Sequence, residues 1–168
     1  MNDIQQIVGP SLDMAFFSLG FFDRERIEVT LIGSPADKET EGFDWVKARV
    51  QVWAGGFTGD VQICICLSDI VRFRQELEPV YNDLRGAAEF KTIENQLYIR
   101  VESDALGHIT ATGYLKSDFV LGDELKFDLR FDQTLLFHTL SETADALFEL
   151  SPATDQQIVG RERRGRTA

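Results

Sequence analysis

The chain has 168 residues, 43% of them hydrophobic, and a formal net charge of −11 from 17 Lys and Arg against 28 Asp and Glu. That length fits one domain with a core of its own, because a domain of about 150 residues hides roughly 70% of the surface its unfolded chain exposes. The charge argues against electrostatically driven binding to nucleic acid or an anionic membrane, and favours basic partners.

The first apolar run, "MAFFSLGFF" (Met14 to Phe22), is about half a membrane span, and the only charged residues before it are acidic. It reads as an edge strand or short core segment inside a leader of uncertain order, residues 1–26. A single domain is expected over residues 27–150. With Ile27, Val29 and Leu31 begins a series of period-two patterns, the mark of half-buried strands. In "DWVKARVQVW", Val46, Ala48, Val50 and Val52 share one face, and Lys47, Arg49 and Gln51 share the other with Trp45 and Trp53. The same alternation holds in Val61-Ile63-Ile65-Leu67.

Helical spacing takes over after Ser68, a candidate N-cap: Ile70, Phe73, Leu77, Val80 and Leu84 recur every three or four residues, and Gly86 is placed to end the helix. Pro79 lies within this helix and predicts a kink or two short helices. Three more alternating strands follow, through Leu97-Ile99-Val101, Ile109-Ala111-Gly113-Leu115 and Leu125-Phe127-Leu129-Phe131. A second helix is predicted over Thr134 to Leu150, capped by Asp132, with Leu136, Leu140, Ala144 and Leu147 on one stripe. Leu135, Phe137 and Phe148 widen its apolar surface, so it should be well buried or docked on another surface. The last residues, 151–168, hold Arg161, Arg163, Arg164 and Arg166 against Asp155 and Glu162. This polar tail is expected to be disordered.

Amphipathic strands with one wet face argue for antiparallel sheet over a doubly wound fold. The fold class expected is α+β: about six to eight mainly antiparallel strands and two helices, one after the first three strands and one near the C-terminus. The helices would cover one sheet or close a sandwich.

The stretch "WAGGFTGDVQICIC" looks richest in chemistry. Gly55, Gly56 and Gly59 run into a strand rather than a helix, and no Lys-Ser/Thr pair follows, so the element order argues against a phosphate cradle. A hairpin turn is expected, with Phe57 tucked beside it. Cys64, Cys66, His108 and His138 match the count of a Cys2His2 zinc site but not its spacing, since the cysteines lie mid-strand and the histidines far apart. Packed free thiols are expected instead, on the face opposite Ile63 and Ile65; with both faces covered, that strand would be central in its sheet. The cysteines alone, two apart on one strand, are an awkward disulfide pair, which fits a reducing, cytoplasmic setting. No nucleophile elbow, His-Glu-x-x-His or Cys-His signature is present. No catalytic residue, cofactor or metal is assigned. His108 or His138 in a pocket beside a carboxylate would be the observation favouring an enzyme.

The wet strand faces carry the functional signal. Lys47, Arg49, Arg100, Glu102, Lys126, Asp128 and Arg130 alternate outward with Trp45, Trp53, Tyr98, His108 and Tyr114. Aromatics among opposite charges suit a protein-binding surface, because Trp, Tyr and Arg dominate interface hot spots. They equally suit cross-strand pairs that stabilise a sheet, or a face lying under the helices. Trp45, Arg49, Trp53 and Tyr114 are taken as candidate partner contacts.

The unit "DWVKARVQVWAGGFTGDVQICICLSDIVRFRQELEPVYNDLRGAAEF", with "LYIRVESDALGHITATGYLKS" and "LKFDLRFDQTLL" after it, resembles the small bacterial WapI-type immunity proteins and their uncharacterised relatives. The resemblance rests on Gly56-Phe57 and Gly59, Leu67 to Asp69, Phe73 to Leu77, Gly86, Gly107 to Ile109, and Asp132-Gln133-Thr134. It implies a non-catalytic protein that binds and neutralises a cognate toxin, often a nuclease, inside the producing cell. The alternatives are a homodimer or small-ligand domain, an enzyme of unrecognised type and, last, a DNA mimic, which the 17 interleaved bases disfavour.

Overall fold

The computed structural model describes residues 14–32 and 45–150. The expected tail, 151–168, lies outside the described residues, as does the first half of the leader. The elements in chain order are strands β1 (Met14–Gly20), β2 (Arg26–Leu31), β3 (Trp45–Ala54) and β4 (Phe57–Cys66), helix α1 (Leu67–Asp83), strands β5 (Ala87–Lys91), β6 (Leu97–Ser103), β7 (His108–Lys116) and β8 (Glu124–Asp132), a 3-10 turn (Gln133–Leu135), and helix α2 (Leu136–Leu150). The fold is α+β, and every strand pair is antiparallel.

The strands form two four-stranded sheets, β1-β2-β3-β4 and β5-β6-β7-β8, each a simple meander. The alternation that predicts the strands also orients them. Val46, Ala48, Val50 and Val52 of β3, and Ile109, Ala111 and Leu115 of β7, are all buried, while their neighbours in sequence are exposed or half-exposed. The apolar faces of both sheets share one core with a stripe of each helix. Gly59 shows how closely they meet: a Cβ there would sit 3.0 Å from Leu125 and 3.2 Å from Leu115 of the facing sheet. From beside Gly59 of β4, β8 runs to the 3-10 turn, whose Leu135 lines the same cavity as Gly20 of β1.

The helices close this sandwich. Phe17 of β1, Phe73 of α1 and Phe90 of β5 form a triangle of rings with centroids 5.4, 5.5 and 5.6 Å apart. All three are fully buried, so each contributes roughly 1.5–3 kcal/mol by leaving water. β1 is thereby fastened to the consecutive pair α1 and β5, far along the chain.

Two strands escape the alternation read from sequence. β1 lies in the leader, and its bulge between Ala15 and Phe17 breaks the period so that Phe16 and Phe17 are both buried. β5 is only five residues long, with Ala88 and Phe90 inward. With β1 counted, α1 follows the fourth strand.

Several local expectations are corrected. β4 is an edge strand of its sheet, not a central one. Both its cysteines are free thiols, but only Cys66, the N-cap of α1, is buried, against the Ser68 hydroxyl at 3.1 Å; Cys64 is half-buried. Phe57 is 72% exposed rather than tucked beside the turn, while Gly55 supplies the left-handed conformation (φ +59°) that the two-residue hairpin needs. Of the kink or two short helices expected at Pro79, the two short helices are not found: α1 is one helix, with Pro79 on its exposed side, four residues after the exposed Gln75 whose carbonyl it cannot bond. Cys66, not Ser68, occupies its N-cap, and it ends through Leu84 in the left-handed region, two residues before Gly86. The inward stripe of α2 is centred beside the expected one: Leu136, Thr139, Thr143 and Ala146 are buried, the expected Leu140 and Leu147 pack half-buried against the core, and Phe137 is 58% exposed. The threonines are accommodated because each hydroxyl donates to a carbonyl, Thr139 to Ser18 at 2.6 Å and Thr143 to Thr139 at 2.9 Å.

Candidate protein-binding surface

Because the inner faces meet in the core, the two outer faces point away from each other. The helices lie against the β1 and β5 edges and leave the outward side chains of β3 in reach: Lys47 and Arg49 are exposed, Trp45, Gln51 and Trp53 half-exposed. Trp45, Arg49 and Trp53 are therefore brought onto one face. Tyr114 is not: it belongs to the outer face of the second sheet, where it stacks on Tyr98 at 5.7 Å and donates to Asn95 at 2.5 Å.

On the first face the register sets cross-strand rows. Glu28, Gln51 and Asp60 form one row, and Arg26, Trp53 and Thr58 the next. Arg49 grips Asp60 with two nitrogens, Nε at 2.8 Å, and Gln51 adds a bond at 3.2 Å. These donors hold the Asp60 carboxyl below the usual carboxylate range. Arg26 lies over the Trp53 ring, its Cζ 3.7 Å from the centroid, and donates to the Phe22 carbonyl at 2.7 Å and to Glu28 at 3.4 Å.

Beside this row α2 passes along β1. Glu142 accepts from the Ser18 amide at 2.7 Å and from its hydroxyl at 2.9 Å, answering a backbone donor on an edge strand. Between helix and sheet lies a cavity of about 350 Å³ lined by Ser18, Gly20, Phe22, Arg26, Glu28, Leu135, His138 and Glu142. His138 thus shares a pocket with two carboxylates, yet among the described residues it makes no hydrogen bond to either, and its ring meets Phe137 edge-on at 6.0 Å. The Ser18 hydroxyl donates directly to Glu142 and not to His138, so among the described residues the pocket shows no serine-histidine-acid relay. His108 lies elsewhere, exposed in the β6–β7 corner with Nδ1 2.6 Å from Asp104. Cys64 and Cys66 are on β4, apart from both histidines in the fold, and among the described residues no three of His, Cys, Asp and Glu are grouped to hold a metal ion.

A model of the immunity protein WapI-like family matches residues 18–150, from the middle of β1 to the end of α2. The chain belongs to the WapI-like immunity protein family. Searches among curated proteins and among solved structures found no match. The family segment takes in both sheets and both helices, and hence the outer face of β3 and the whole lining of the cavity.

Phe22, Arg26, Glu28 and Glu142 were not legible as site residues. Phe22 reads as one more residue of an apolar run, and Glu142 as one of 28 acids. His138 and Glu142, four apart on a helix, do share a face by spacing alone. What spacing could not tell is that this face looks onto β1. Among the described residues no helix is long and apolar enough to cross a membrane.

Proposed function

We propose that this chain is a cytoplasmic bacterial immunity protein that binds a cognate toxin and neutralises it by occupancy, without chemistry of its own. The observation that carries this reading is the family match over residues 18–150. The open outer face of β3, with Trp45, Arg49 and Trp53, has the composition of an interface hot spot and supports it. Tyr114, on the opposite face, belongs to the contact surface only if the partner wraps the molecule. The net charge of −11 would speed encounter with a basic toxin and make binding salt-sensitive.

The test is a pull-down from the cells of origin at low and high salt, followed by expression of the retained protein with and without this chain. A basic protein released by salt, toxic alone and harmless beside the chain, is expected. A retained protein that is not toxic, or none retained, would sink the reading. The cavity of about 350 Å³ favours a second reading, a small-ligand domain, since pockets of this size suit small molecules. Rescue from toxicity separates the two.

A further inference from the structure

Resting on that reading, we propose that the partner docks in the groove between α2 and the outer face of β1 and β2, and that it inserts a Lys or Arg side chain flanked by apolar residues. The groove is a built feature. One wall is Arg26, fixed over Trp53 at 3.7 Å and tied to Phe22 and Glu28, so it is already in place before anything binds. Phe22 stands at its mouth with 88% of its surface exposed. An aromatic so placed gains by being covered, and a ring beside a salt-bridged arginine is the anchor type that protein interfaces favour.

Charge decides what covers it. Two carboxylates, Glu28 and Glu142, line the cavity against one guanidinium, Arg26. The other wall, α2, extends the excess beyond Glu142 with Asp145 and Glu149, at spacings of three and four that keep them on one helix face. Helix α2 contains no Lys or Arg anywhere along "LFHTLSETADALFEL". Arg26 is engaged on Trp53 and Glu28, whereas the acidic stripe has no basic counterpart on its own helix. A cationic side chain entering past Phe22 would meet carboxylates and lay its aliphatic stem on the aromatic ring.

The experiment places a photo-crosslinking residue in the full chain, Phe22→p-benzoylphenylalanine in one version and Tyr114→p-benzoylphenylalanine in another, and identifies the linked peptides after irradiation in the cells of origin. The expected result is a link from position 22, not 114, to a peptide of another protein carrying Lys or Arg within a few residues. Adding Glu28→Gln should lower that yield roughly tenfold, the loss expected when one member of a close interfacial charge pair is neutralised. A link from position 114 alone would overturn the groove while leaving toxin binding standing. Links from 22 into residues 151–168, into a second copy of this chain, or into a peptide without a base would each assign the groove to another occupant and overturn the proposal. No link from either position would count against toxin binding itself.

Discussion

The two outer sheet faces carry the same kinds of residue and differ in how those residues are used. On the second sheet, Arg100 bonds Glu89 at 2.6 Å and Glu102 at 3.2 Å, Tyr98 donates to Glu89 at 3.1 Å, and Lys116 and Lys126 both pair with Glu124. Arg130 pairs with Asp128, and the Tyr98 and Tyr114 rings cover each other. On the first sheet, Lys47 has no ion pair among the described residues, and Arg26, seated on Trp53, opens onto a cavity. A face whose charges answer one another stabilises its own sheet, whereas one that ends in a groove keeps something for a partner.

The strongest way to break the comparison is to damage one sheet alone. In β7 a Cβ on Gly113 would fall 1.9 Å from the Tyr98 carbonyl oxygen of β6, so Gly113→Ala should cost about 3 kcal/mol or more, read as a lower urea midpoint. Next comes binding: Trp53→Ala should weaken partner affinity by about 2 kcal/mol, roughly thirtyfold, and Tyr114→Ala should leave it nearly unchanged in the same titration. Equal losses would erase the distinction between the faces. Glu142→Ala leaves the Ser18 amide of the β1 edge without its acceptor and should cost about 1–2 kcal/mol in thermal unfolding.

Acid sharpens the contrast more gently. Arg49 lowers the Asp60 carboxyl on one face and Arg100 lowers Glu89 on the other. Groups lowered in the fold stabilise it above their unfolded values, 3.8 for Asp60 and 4.5 for Glu89, and that contribution is lost as pH falls through the lower folded values. Asp69 has the opposite sign: burial in the first turn of α1 raises it, so its ionised form costs stability at neutral pH and the cost is relieved in acid. Asp69→Asn should therefore raise the neutral-pH melting temperature slightly, and the gain should shrink below about pH 4. The smallest effect belongs to Arg100→Ala, since an exposed pair is screened by water, and the unfolding midpoint should scarcely move.

Most of the architecture was legible because burial in antiparallel sheets writes itself as period two. Six strands carry that mark clearly, Val46 to Val52 most of all. β1 hides it, since its bulge places Phe16 and Phe17 both inward, and β5 is too short to stand out. The edge position of β4 was hidden for another reason: Ile63, Ile65 and Cys66 are buried by neighbours above and below, and pairing order leaves no trace in hydropathy. The candidate surface was half legible. Trp45, Arg49 and Trp53 share a face by strand parity, but whether Tyr114 joins them depends on how two sheets stack. The groove was invisible, because it is made by residues 124 positions apart that meet only when α2 docks on β1.

That same contact sets an order of events in synthesis. Ser18 emerges early, and the glutamate that answers its amide follows 124 residues later. At about 5–20 residues per second, the first strand waits on the order of 6–25 seconds before its outer edge is sealed. Through that interval the nascent chain, even with β2 paired to one side of β1, exposes the other edge of a strand bearing Phe16 and Phe17, the kind of edge that chaperones cover and neighbouring chains pair with. A product released before α2 is complete would keep both sheets' strand sequences and lack the element that closes β1.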